Sequence, residues 1–217
     1  MTRSTHKHRG AYAVAALCAL LMLGTVAQAE IISSPILILD AGYGNKVVVT
    51  GDDGEVSFIG SVGNWFLNIT QGEQEDLEFE LESLDIAGLF QNGRLDITLI
   101  GFGFFGWPGL NASFSGSLIS LLPSSMSYKL LADDDVVGEL GPFSGLYFKE
   151  GLRGICLPPD AGGPYKIAQK VSIWAKGPAT AHFEAEVTPT PEPSTLLLVG
   201  SVLLFGAKFA GRRFARR

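Results

Sequence analysis

The sequence predicts an all-β fold: an antiparallel β-sandwich of about nine strands, flanked by an N-terminal signal helix and a single C-terminal transmembrane helix. Three observations carry that expectation. Apolar and polar residues alternate with period two through most of the middle of the chain, as half-buried strands require. Clusters of Gly, Asn, Asp and Pro cut the alternation into short runs. Two uncharged apolar stretches, one near each end, lack the alternation and lie against basic residues.

The leader reads "MTRSTHKHRGAYAVAALCALLMLGTVAQAE". Arg3, Lys7 and Arg9 precede an apolar run from Ala11 to Leu23, which is short for a bilayer span. Ala27 and Ala29 then supply the small residues that a signal peptidase reads, so cleavage is expected after Ala29. Lipidation at Cys18 has little support, because Leu17 stands where a small residue is wanted.

The body is expected over residues 30–187. Its strands begin with "VVVT" (47–50), followed by the turn "GDDGE", then "VSFIGSV" (56–62) and "WFLNIT" (65–70) around Gly63 and Asn64. In "DLEFELESLDI", Leu77, Phe79 and Leu81 face one side and Glu78, Glu80 and Glu82 the other. The apolar phase then shifts to Leu84 and Ile86, which predicts a β-bulge near Ser83. A helix through Leu77, Leu81 and Leu84 is the rival, and Phe79 fits it poorly. "RLDITLIGF" (94–102) turns Leu95, Ile97 and Leu99 inward; "ASFSGSL" (112–118) does the same with Ala112, Phe114, Gly116 and Leu118. "MSYKLL" (126–131), "KVSIWAK" (170–176) and "AHFEAEV" (181–187) complete the set. No internal repeat is evident.

Charge excludes one class of partner. Residues 30–190 hold eight Lys and Arg against 21 Asp and Glu, a net −13 where the whole chain has −6. A field of that sign repels phosphate backbones, so nucleic-acid binding is disfavoured. Once the leader is removed Cys156 is alone, so the body must be held by its own core, and its length suffices for one.

Catalytic motifs are missing. His182 shares a polar strand face with Glu184 and Glu186 and reads as a solvated histidine. A Cys156–His182 nucleophilic pair has nothing in "RGICLPP" to lower the thiol pKa. "GPFSG" around Ser144 has the wrong spacing for a nucleophile elbow, and no zinc signature occurs. No enzyme activity and no cofactor are expected. Two acidic turns could offer oxygens to Ca²⁺, one with Asp52, Asp53 and Glu55 and one with Asp133, Asp134, Asp135 and Glu139. Neither has EF-hand spacing, and solvated hairpin turns are the simpler reading. "GFGFFGWPGLN" (101–111) interleaves Phe102, Phe104, Phe105 and Trp107 with glycines; such rings either plug the end of a sandwich or stack on a ligand, sugar rings included. Threonine is too sparse and aperiodic for an ice-binding face.

The end reads "TPTPEPSTLLLVGSVLLFGAKFAGRRFARR". Its prolines at 189, 191 and 193 favour an extended linker over 188–193, open to an enzyme. The uncharged run 194–207 would make roughly 21 Å of helix, against about 30 Å of hydrocarbon. Snorkelling of Lys208 and inclusion of Phe209 and Ala210 extend it to a span over 194–210. A basic tail follows over 211–217. Lys208, Arg212, Arg213, Arg216 and Arg217 hold that end in the cytoplasm and so place the body outside.

Pro191-Glu192-Pro193, then a Leu- and Gly-containing apolar helix, then an Arg cluster, resembles the PEP-CTERM sorting signal of exported proteins from Gram-negative bacteria that make extracellular polysaccharide. The resemblance covers 188–217. It implies passage through the general secretion machinery with its signal peptidase, a transient stop in the inner membrane, and processing by an exosortase near Pro191-Glu192-Pro193. The destination implied is the cell surface or extracellular matrix. The body also resembles, more loosely, a recurrent PEP-CTERM cargo domain of unassigned activity. A non-enzymatic structural or biofilm component is the leading expectation; a module binding exopolysaccharide or another ligand is the alternative, and a hydrolase comes third.

Overall fold

The structure is a computed structural model and describes residues 34–75, 78–88, 93–104, 109–157 and 164–190. Twelve strands form among them. One six-stranded sheet, called here the first, contains β1 (Ile36–Asp40), β2 (Lys46–Thr50), β6 (Gly93–Phe104), β8 (Ser124–Ala132), β9 (Asp135–Phe143) and β11 (Tyr165–Ala175). Its order is β2-β1-β6-β11-β8-β9. The second sheet contains β3 (Glu55–Val62), β4 (Trp65–Glu75), β5 (Glu78–Gly88), β7 (Gly109–Ser120), β10 (Gly145–Cys156) and β12 (Ala179–Pro189). Its order is β10-β7-β12-β5-β4-β3. Every neighbouring pair is antiparallel.

The alternation closes these sheets face to face. Leu95, Ile97 and Leu99 point inward from the first sheet; Phe79, Leu81, Phe114, Phe183, Ala185 and Val187 point inward from the second, and all are fully buried. Phe114 lies at the centre of an aromatic group with Tyr128, Phe143, Phe148 and Phe183. The sandwich is therefore as the alternation predicts, with β4 and β5 as strands where a helix was the rival.

Among the described residues the count is twelve rather than about nine, and each of the three added strands has its own reason. In β1, "ILILD", Leu37 and Leu39 are buried and Ile36 and Ile38 half-buried on the outer face, so no polar face betrays the period. Strand β9 is an exposed edge, where Pro142 is tolerated because an edge strand can lack a donor. Strand β10 is the edge of the other sheet, and register shifts at 145–148 and 152–155 break its alternation.

The bulge in β5 lies where the phase shift places it. Phe183 faces Ser83 and Ala181 faces Ile86, so Leu84 and Asp85 together oppose His182. Ile86 returns to the core, but Leu84 does not: it faces solvent at 46% exposure. The extra residue is spent on that reversal.

Two buried or half-buried glutamines tie the sheets together. Gln74 on β4 donates from Nε2 to the Phe102 carbonyl on β6 at 2.6 Å and accepts the Phe102 N–H at 3.1 Å. Gln169 on β11 is fully buried; it donates to the Phe79 carbonyl on β5 at 2.5 Å and accepts from the Tyr128 hydroxyl at 3.1 Å.

The register fixes which features share an end. The chain leaves β12 at Pro189, and the Thr190 N–H donates to the Gly109 carbonyl at 2.9 Å. The turns at 51–54 and 132–135 lie at that same end, as do the start of β5 and the end of β6. The opposite end carries the turns at 41–45, 63–64 and 121–123. No helix occurs among the described residues, and none is long and apolar enough to cross a membrane. The expected signal helix over 1–29, with Ala27 and Ala29, and the expected transmembrane helix over 194–210 lie outside the described residues.

Candidate binding surfaces

The aromatic segment divides. Phe104 is 4% exposed and packs edge-on against Phe79 with ring centroids 5.3 Å apart. It is a core residue closing one end of the sandwich, which corrects its place among the candidate ligand contacts: a ring held in the core has no face to offer a sugar. Phe102 is half-buried, its backbone held by Gln74. Phe105 and Trp107 lie outside the described residues.

Both acidic turns are tight hairpins. At 52–55, Asp52 and Glu55 exchange both backbone hydrogen bonds, and Asp53 and Gly54 take positive φ of 48° and 84°. At 132–135, Asp133 and Asp134 have φ of 48° and 78°, conformations that Asp tolerates through its short polar side chain. Asp133 Oδ1 accepts the Lys166 N–H at 2.9 Å, and the Lys166 ammonium pairs with Asp134. A lysine therefore sits where a cation would have to. Among the described residues, no group of three or more His, Cys, Asp or Glu side chains is arranged to hold a metal.

Cys156 and His182 do not meet. Cys156 is opposite Gly109 and His182 opposite Ser117 on the same strand β7, which separates them by roughly 26 Å. His182 is half-buried, with Nδ1 2.9 Å from the Ser83 carbonyl. Ser144 lies between β9 and β10, at the end opposite the tail.

The outer face of the second sheet holds an arrangement that no local motif reveals. Glu55 pairs with Glu73, Glu73 with Glu80, and Glu80 with Glu186, so four glutamates stand side by side on β3, β4, β5 and β12. Glu82 and Glu184 form the next rung. Like charges directly opposite destabilise a sheet. Partial burial and then the charges of Glu184, Glu78, Glu82 and Glu73 push the Glu80 carboxyl up to about 7. Beside this rung, across β12, β7 and β10, runs an open groove of about 560 Å³ whose walls include Asn111, Ser113, Lys149, Arg153, Glu186 and Thr188.

The first sheet is built differently. On its outer face Asp96 accepts hydrogen bonds from Arg94 Nε at 2.7 Å and Ser172 Oγ at 2.7 Å and pairs with Lys170 Nζ at 2.9 Å. Burial pushes this carboxyl up, but the bonds from Lys170, Arg94 and Ser172 outweigh it and hold Asp96 below the ordinary carboxylate range. Its strands carry five Lys and Arg against four Asp and Glu, whereas those of the second sheet carry two against ten.

These features describe a two-sheet antiparallel β-sandwich whose last strand ends at Pro189. Residues 189–217 match the PEP-CTERM protein-sorting motif. The motif implies an exported protein, anchored transiently in the membrane and processed by an exosortase and the secretion machinery. No curated protein matches the chain. Among solved structures, TmCBM61 in complex with β-1,4-galactotriose is similar over 60% of this chain and 92% of its own, at 10% identity and a TM-score of 0.37. The carbohydrate-binding module CBM36 in complex with calcium and xylotriose is similar over 46% and 76%, at 17% identity and a TM-score of 0.28. The CBM36-1 domain of a multidomain xylanase from the hindgut metagenome of Trinervitermes trinervoides is similar over 49% and 79%, at 8% identity and a TM-score of 0.32. At these scores the likeness says nothing about what this chain binds.

Proposed function

We propose that the body is a non-enzymatic component of the cell surface or extracellular matrix of a Gram-negative bacterium, delivered there by its tail and associated with exopolysaccharide. The leader to Ala29 is removed on export, 194–210 holds the chain in the inner membrane, and Lys208 with the four arginines marks the cytoplasmic side. Pro191, Glu192 and Pro193 are the handle on which the processing enzyme acts. The observation that carries this reading is the sorting motif at 189–217, joined without slack to β12, whose last backbone hydrogen bond is made by Thr190. A hydrolase is the weaker reading. Neighbouring carboxylates do occur, and Glu150 and Glu186 both line the groove, but Lys149 and Arg153 line it with them, and Glu80, whose carboxyl is raised, does not.

Fractionation of cells that produce the full chain, with and without the processing enzyme, tests the reading. Surface or matrix recovery is expected with the enzyme, and retention in the inner membrane without it. An identical distribution in both strains would sink it.

A further inference from the structure

We propose that the outer face of the first sheet around Trp174 is where the body docks a neutral polysaccharide, a pyranose ring lying on the indole. This rests on the reading that the body associates with exopolysaccharide, and it places that association on a face that carries no sequence motif.

Trp174 points out of β11 and stays 41% exposed. Its cross-strand neighbours are Arg94 on β6 and Ser125 on β8. One rung further stand Ser172, Asp96 and Ser127. The indole is thus flanked on both neighbouring strands by hydrogen-bonding groups. A protein partner or a lipid surface would want a contiguous apolar patch. A pyranose has the matching pattern, since one face is lined by C–H groups that can lie on an aromatic ring and its edge is lined by hydroxyls.

The polar groups are held in place before any ligand arrives. Asp96 gathers Arg94, Ser172 and Lys170, so none has to find its rotamer on binding. The Arg94 side chain remains 61% exposed, and its Nη2 lies 3.4 Å from Ser172 Oγ, leaving donors for a ligand hydroxyl. The strands of this sheet are near charge balance, with Lys176 exposed two residues beyond the indole, so the sheet lacks the strong negative field of the glutamate face on the other sheet. Position agrees as well. Trp174 lies toward the end opposite the tail, where Tyr43, Leu121, Leu122, Leu146 and Tyr147 are also exposed, while the acidic turns lie at the tail end. While the chain is still held by its C-terminus before cleavage, this end is the one farther from the anchor.

Affinity electrophoresis of the mature protein recovered from cells, in gels containing a neutral β-glucan, a neutral α-glucan, an acidic uronate polymer or the producing cells' own exopolysaccharide, tests this. Retardation by at least one neutral polymer is expected. Trp174→Ala should weaken it at least tenfold and Trp174→Phe less, with unfolding transitions unchanged. Ser125→Glu, which leaves the indole in place, should also weaken it. Wild-type-like retardation of Trp174→Ala, with loss instead in Trp107→Ala or in Lys149→Ala/Arg153→Ala, would overturn the assignment of this face and leave the polysaccharide reading standing. Absence of retardation by any polymer would overturn both, and retardation by the uronate polymer alone would overturn the neutral ligand.

Discussion

Gln169 and Gln74 are the residues that decide how the two sheets sit on one another. Apolar contacts between sheets are tolerant of sliding, whereas a hydrogen bond from a buried side chain to a carbonyl of the other sheet has one register. Replacing Gln169 by Leu keeps the volume but removes the bond to Phe79 and strands the Tyr128 hydroxyl in the core. The expected cost is about 2–4 kcal/mol, because an unsatisfied buried polar group is left behind. Tyr128→Phe, which strands only one acceptor, should cost about 1–2 kcal/mol. Urea unfolding measures both, and equal stabilities for the Gln169→Leu variant and wild type would remove the argument. Gly72 poses a steric counterpart. A Cβ there would overlap Leu99 Cδ1 across the core, so Gly72→Ala should cost about 1–3 kcal/mol. In a double-mutant cycle, adding Leu99→Ala should cost less in that background than alone, because the cavity admits the new methyl. Neither glutamine was legible as a tie. Their partners lie 28 and 90 residues away, and Gln169 stands just before the segment 170–176 that the alternation locates.

At the scale of strands, the alternation located most of the nine segments through a polar face, whereas VVVT (47–50) was marked by its β-branched run before the turn at 51–55. It could not show which polar faces would be neighbours. Glu78, Glu80 and Glu82 were visible as one face of β5, and Glu184 and Glu186 as one face of β12; only the pairing of β5 with β12 and β4 makes them a rung. That pairing has a consequence in pH. Glu80 in the folded chain holds its proton up to about 7, while the unfolded chain releases it near 4.5. Between those values the folded state binds more protons, so stability falls as pH rises through that window. Asp96 acts in the opposite sense and lower down: its carboxyl is held below the ordinary range, so its contribution is lost as pH falls below about 4. Stability should therefore peak on the acidic side, near pH 4–5. Glu80→Gln should flatten the decline, raising the unfolding temperature by about 2–4 °C at pH 8 and hardly at pH 4. Added salt should reproduce part of that gain, since most of the rung is exposed and screened. A melting series across pH for the two proteins decides it, and parallel curves would show that Glu80 does not hold its proton up to about 7 in the folded chain.

The molecule as a whole is polar in two directions. Its negative charge is concentrated on the second sheet and in the turns at the tail end, and its exposed aromatic and aliphatic side chains gather at the other end. Composition revealed the net charge but not this distribution, which the order of strands creates. The same topology bounds what processing can remove. β12 lies between β7 and β5 in the middle of the second sheet and contributes Phe183, Ala185 and Val187 to the core. Cleavage within it would expose both neighbours as open edges and withdraw buried rings, so no stable product can end before Pro189. Thr190 still donates to Gly109, and Pro191 follows it directly. The mature chain is accordingly expected to end at Thr190 or beyond it, within or just after Pro191-Glu192-Pro193, with the fold unchanged by the cut. Intact-mass measurement of the released protein gives the endpoint directly. A released, folded species ending inside 179–188 would mean that β12 is dispensable and that the register drawn here for the second sheet is wrong.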